Sequence, residues 1–167
     1  MVILGLDPGS QVAGYGILEY KDHKTIHIDH GVIRLSSGLS LPKKLSILAQ
    51  DLKQLINTYQ VDQMMLEKAF MGKNVQSAFQ LGHVRGVCFL VAEENHVQVR
   101  EIAPRAAKKQ VAGNGGASKE VLRAHVLGQL GINTDAPLDA TDALALALCL
   151  VTQWQQEELL IKNGVNL

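Results

Sequence analysis

The sequence predicts an α/β fold: a mixed five-stranded sheet, three antiparallel strands first and parallel strands after, flanked by helices. Two observations carry this. From Val2 to Leu35 come three strand-like runs separated only by short turns. Beyond them, short apolar runs alternate with helical stripes, as crossover connections require, and such crossovers make the later strands parallel and right-handed. Val2–Asp7 is a buried apolar run. Ala13–Tyr20 alternates after a Gly-containing turn, and Lys24–Leu35 follows the turn Lys21-Asp22-His23. Pro42 opens a helix to about Tyr59, with Leu45, Leu48, Ala49, Leu52, Leu55, Ile56 and Tyr59 as its apolar stripe. Asp62–Glu67 is the fourth strand. A helix from about Asn74 to Glu94 is expected to bury Val75, Ala78, Phe79, Val87, Leu90 and Val91. Val97–Ile102 is the fifth strand. Pro104 opens a short helix ending near Gly113, and Ser118 caps the next, to about Leu130. Asp139 begins the last long helix. Past Gln155 the periodicity weakens, so residues 156–167 are expected to form a flexible C-terminal tail. In this order strand one is central and strand four lies beside it.

At 167 residues the chain is long enough for one full core. Nearly half its residues are apolar, as in an ordinary globular protein. The opening Met1-Val2-Ile3-Leu4 reads as a strand, not a signal peptide. The longest apolar stretch, Ala143 to Val151, is too short to span a bilayer, so no membrane partner is expected. Cys88 and Cys149 fall in apolar helical pattern and read as packed thiols, which points to a reducing cytoplasm. The net charge is zero, yet the charges are uneven. Arg100 to His125 holds six basic residues (Arg100, Arg105, Lys108, Lys109, Lys119, Arg123) and two acids (Glu101, Glu120), a local +4. A phosphate backbone fits such a patch, and so do two ordinary solvated helix faces.

Four carboxylates stand at segment ends. Asp7 closes the first strand and Glu67 the fourth, while Asp139 and Asp142 open the last helix three residues apart, on one helical face. Each has a plainer role alone: a turn, an exposed strand end, an N-cap, a first-turn acid that suits the helix dipole. Together they fall at one edge of one sheet. Acids gathered there call for a cation, and Mg²⁺ prefers oxygen ligands shared with phosphate. A two-metal site about 3.5–4 Å across needs about this many carboxylates, and its usual chemistry is phosphodiester hydrolysis.

Around them lie candidate contacts. Phe70 sits in the loop Lys68-Ala69-Phe70-Met71-Gly72-Lys73-Asn74, where a scarce aromatic either stacks on an unpaired base or folds onto the core. Lys73 shares that loop. Lys108 and Lys119 bracket the stretch Gly113-Asn114-Gly115-Gly116, and Arg105, Lys108 and Lys109 share a helical face. Lys119 begins a helix, where the dipole disfavours a cation that has no other task. His23, His27 and His30 come closest to a cluster, but on a regular strand His27 and His30 point to opposite faces, so zinc is not expected.

Leu4-Gly5-Leu6-Asp7-Pro8-Gly9-Ser10 with Gly14-Tyr15-Gly16 resembles the opening of the RuvC family, the bacterial Holliday-junction resolvases. So do the stretch Glu67 to Asn74, Leu81-Gly82-His83-Val84-Arg85-Gly86, and Asp139-Ala140-Thr141-Asp142-Ala143-Leu144-Ala145. The resemblance runs to about Leu150. It implies a ribonuclease-H-like nuclease domain over residues 1–155, a homodimer, and paired nicking of four-way junction DNA in recombination and repair. It further implies two Mg²⁺ per site, with Mn²⁺ able to substitute, and partnership with the RuvA–RuvB branch-migration complex. Asp7, Glu67, Asp139 and Asp142 match the family's metal ligands. Phe70 matches the aromatic that stacks at the junction centre, and Lys108 and Lys119 match basic residues of DNA binding and catalysis. Arg105 and Lys73 join the expected DNA-binding set. Two other readings are a related nuclease acting on RNA and a non-catalytic junction-binding protein.

Overall fold

The computed structural model describes residues 1–68, 75–133 and 135–164. Five strands, β1 (Val2–Asp7), β2 (Val12–Lys21), β3 (Lys24–Arg34), β4 (Gln63–Glu67) and β5 (Gln98–Ile102), form one sheet in the order β3-β2-β1-β4-β5. The first three are antiparallel, and β4 and β5 are parallel to β1. The expected mixed sheet with a central first strand is therefore present. The helices are α1 (Leu41–Tyr59), α2 (Val75–Glu94), α3 (Pro104–Ala112), α4 (Lys119–Leu130) and α5 (Leu138–Lys162).

Side-chain alternation along the strands splits the core into two. Leu4, Leu6, Ile17, Met64 and Leu66 pack with Leu48, Leu52 and Ile56 of α1 and Val84 and Cys88 of α2. Ile3, Leu18, Met65 and Ile102 pack on α5, over which Leu122 and Val126 of α4 close. Both cysteines are buried and unpaired, and burial pushes each thiol up to about 12. No helix among the described residues is long and apolar enough to cross a membrane.

Glycines let α5 lie directly on the sheet. A Cβ on Gly5 would stand 2.0 Å from the Ala143 carbonyl oxygen, and one on Gly14 would stand 1.9 Å from that of Asp139. One on Gly16 would meet Leu144. Gly is costly inside a strand and often marks a close backbone approach. Here it brings the first turn of α5 against β1 and β2, the edge where Asp7 lies.

Three expectations need correction. First, α2 does not bury Val75, Phe79 or Leu90, which are 67%, 68% and 57% exposed. The helix is apolar on every side, so periodicity could not choose its inner face. The residues that turn inward are Val84, Arg85, Cys88, Val91 and Ala92. Second, His27 and His30 do not point apart: His27 Nε2 lies 2.8 Å from His30 Nδ1. Ile17 pairs with Asp29 but Leu18 pairs with His27, so Ile28 is an extra, bulged residue that shifts the alternation. Among the described residues no third ligand joins the pair. Third, α5 continues through Lys162, over much of the expected tail. Arg100 pairs with Glu157, Tyr20 donates to Glu158, and Trp154 Nε1 donates to Gln63. These polar links hold a helical turn whose apolar period is weak.

The glycine contacts make a prediction. Gly14→Ala should destabilise the protein by about 1–3 kcal/mol, since α5 must lift or the strand must shift. Gly128→Ala, inside α4 with open space around the new Cβ, should instead stabilise by about 0.5–1 kcal/mol. Chemical denaturation of the two variants checks both signs.

Candidate active site

Parallel pairing places Leu6 opposite Leu66, so the next residues, Asp7 and Glu67, end adjacent strands side by side. Alternation puts Asp7 on the same face as Ile3 and Gly5, and Glu67 on the same face as Met65. Both acids therefore face α5. The helix meets them with its first turns, where Asp139 and Asp142 stand half-buried.

The four acids share one electrostatic neighbourhood. Burial first, then Asp142 and Asp139, raise the Asp7 carboxyl to about 6, against an opposing pull from Lys119. Burial first, then Asp7 and Asp142, raise Glu67 to about 7, against Lys119 and Arg85. Like charges near one another disfavour ionisation, and a partly dry site strengthens the effect. Lys119 Nζ donates to Asp142 Oδ2 at 2.8 Å, and this bond holds the lysine ammonium above its usual range. That pairing explains a cation at the start of α4, where Ser118 caps the helix by accepting from the Val121 amide.

The donor set fits a hard divalent cation. It is all carboxylate oxygen, partly buried, and short of compensating positive charge. The acids do not already close on one point: among the described residues no three such ligands are gathered as an ion would need. Asp142 is engaged by Lys119 instead.

The basic residues divide. Arg105 and Lys109 of α3 are exposed. Lys108 Nζ donates to the Ala117 carbonyl at 2.9 Å, bracing the Gly-rich loop. An ammonium has three N–H donors, so this leaves capacity for a phosphate. Arg123 pairs with Asp135. Arg100 leaves the patch altogether: it pairs with Glu157 and lies over the Trp154 ring, at the other end of α5. Phe70 and Lys73 lie outside the described residues.

Two features escaped the sequence reading. The close-approach glycines were signalled by their place inside strands. Arg85, only 8% exposed, donates to the Glu67 carbonyl and pairs with Glu101. Its signal was a cation in an otherwise apolar helical run.

The raised carboxyls set a pH dependence. An acid whose folded pKa is raised binds its proton more tightly folded than unfolded, so its favourable contribution is lost as pH rises through the folded value. Without divalent ions, stability should therefore fall from about pH 5 to pH 8. Asp7→Asn should flatten that slope and exceed the unmodified chain at pH 8 by on the order of 1 kcal/mol. Urea denaturation at both pH values in a chelator is the measurement.

A family model described as crossover junction endodeoxyribonuclease RuvC matches residues 3–150. A protein of that name from Bdellovibrio bacteriovorus is 40% identical over 167 residues, covering 100% of this chain and 99% of its own. Another, from Francisella tularensis subsp. novicida, is 38% identical over 149 residues, covering 89% and 86%. Among solved structures, T. thermophilus RuvC in complex with Holliday junction substrate aligns with a TM-score of 0.81 at 26% identity, covering 89% of this chain and 91% of that one. With nearly the whole chain matched, the chain belongs to the RuvC family of crossover junction endodeoxyribonucleases.

Proposed function

We propose that the chain is a homodimeric, Mg²⁺-dependent endonuclease that resolves four-way (Holliday) DNA junctions by paired, symmetric hydrolytic nicks. It would leave ligatable 5′-phosphate and 3′-hydroxyl ends. The observation that carries the chemistry is the gathering of acids, in which Asp142 raises both Asp7 and Glu67 and Asp139 raises Asp7, with Lys119 as a cation bonded to Asp142. The family membership supports the substrate class.

In this reading the four carboxylates hold two Mg²⁺, with Mn²⁺ able to replace them. Metal at such a site lowers the pKa of a bound water and stabilises charge on the leaving oxygen. The chain's residues do the rest. Asp7 and Glu67 would bind metal as carboxylates, and with values of about 6 and about 7 their ionisation costs little near neutral pH despite the upward shift. Lys119, freed from Asp142, stabilises negative charge on the attacked phosphate. Lys108, Arg105 and Lys73 meet the DNA backbone, and Phe70 stacks at the junction centre. The working compartment is the cytoplasm, where junctions arise and where the RuvA–RuvB complex would deliver them.

The dimer reading rests on α2. Val75, Phe79 and Leu90 are exposed, and with Leu45 and Val87 they line an apolar groove of about 760 Å³. An exposed apolar face of this kind suits a self-complementary contact. A two-fold dimer would also present one site to each of two opposing strands.

Two measurements test the proposal. A labelled four-way junction should be cut only with Mg²⁺, whereas linear duplex and RNA–DNA hybrid should survive. Asp142→Asn should lower cutting at least a hundredfold while still binding the junction; cleavage at the unmodified rate would remove Asp142 from the site. Second, mixed dimers of unmodified and Asp142→Asn chains should turn a cruciform plasmid mainly into nicked circles. Linear products at the unmodified yield would mean that one chain makes both cuts.

A further inference from the structure

Arg85 is the one described cation buried in the layer between α2 and the sheet. Burying a guanidinium is costly unless its donors are met. One Nη donates to the main-chain carbonyl of Glu67, the other to the Glu101 carboxylate, and the planar group lies 5.5 Å from the Phe89 ring centroid. It therefore ties α2 to the ends of β4 and β5.

The Glu67 carbonyl has a reason to need such a donor. The β1–β4 ladder is registered only as far as Leu6 opposite Leu66. The chain then turns away at Pro8, which has no N–H to extend the pairing. Lys68 already donates toward β5, to Ile102. The carbonyl at the last residue of β4 thus lies where the regular ladder runs out, and a buried carbonyl without a donor is costly. Arg85 supplies the donor from the α2 face, while the Glu67 carboxylate lies on the opposite, α5 face.

We propose that Arg85 is a positioning residue for Glu67: by gripping its carbonyl and Glu101 from α2, it fixes where the Glu67 carboxylate meets the bound metal. The inference rests on Glu67 being a metal ligand. It also joins the proposed dimer helix to the site through one side chain. Partners that orient a metal ligand typically change metal affinity ten- to a hundred-fold when removed.

The test is calorimetric titration of Mn²⁺ into the full chain without DNA. Glu67→Gln should weaken binding strongly; binding at the unmodified affinity there would overturn the ligand reading itself. Arg85→Lys keeps a charge but not the planar fork, and should weaken Mn²⁺ binding about tenfold. A double variant, Arg85→Met with Glu101→Met, leaves no unpaired buried charge. It still loses the donor to the Glu67 carbonyl, so its thermal unfolding should drop by a few degrees while staying cooperative, and its Mn²⁺ affinity should be at least tenfold lower. If Glu67→Gln loses Mn²⁺ while the well-folded double variant binds it normally, Arg85 only holds the fold and the proposal fails.

Discussion

The structure depends on one contact, the bare-backbone approach of α5 to β1 and β2. Gly5, Gly14 and Gly16 leave no Cβ between helix and sheet. Because Gly14 is opposite Asp7 and lies against the Asp139 carbonyl, the strand that ends in one acid is set by the turn that carries another. Any side chain at those positions would hold the helix off by ångströms. A two-metal arrangement spans only about 3.5–4 Å, so that spacing decides whether the four acids act as one group or as two unrelated pairs.

Such closeness has an electrostatic cost. Asp7 and Glu67 are pushed to about 6 and about 7 chiefly by burial and then by their neighbours. Among the described residues, Lys119 is the cation hydrogen-bonded to a carboxylate of the cluster. Lys119 is itself poorly placed by the dipole of its own helix, since the N-terminus repels cations. The two misfits offset each other across the gap between α4 and α5. A divalent ion would offset the acids more fully and leave Lys119 to act elsewhere. Sites built for ligands often hold this kind of local instability in the free protein.

How much was legible follows from which signals were local. The strand order could be read because alternation, Pro42, Pro104 and the Gly-rich turns punctuate the chain unambiguously. That the acids fall at one end of the sheet could be read because each ends or opens a patterned segment. What failed was long-range or averaged. The bulge at Ile28 is set by pairing between strands, and nothing in β3 alone announces it. The inner face of α2 was hidden because all its faces are apolar, and Val75, Phe79 and Leu90 proved to point outward. Arg85 stands in the stretch Leu81 to Gly86 with no local sign of a task, because its partners Glu67 and Glu101 come from distant strands. The turns beyond Gln155 lacked apolar period because polar links hold them.

Those links bear on the site from far away. Glu157 and Asp139 are eighteen residues apart on one helix, roughly 27 Å at 1.5 Å per residue. Between them, Ala140 to Val151 is buried almost all round, with Asp142 its one half-open position. A helix gripped on every side cannot roll, but it can slide or tilt unless its ends are pinned. Arg100 with Glu157 and the run Trp154–Gln63–Gln98 pin the far end to the starts of β4 and β5. The glycines and the Lys119–Asp142 bond pin the near end. The acids at one tip are thus located by a rod fixed at both ends to the same sheet that carries Asp7 and Glu67. Precision at the site then comes from regular secondary structure, which holds side chains more exactly than loops do.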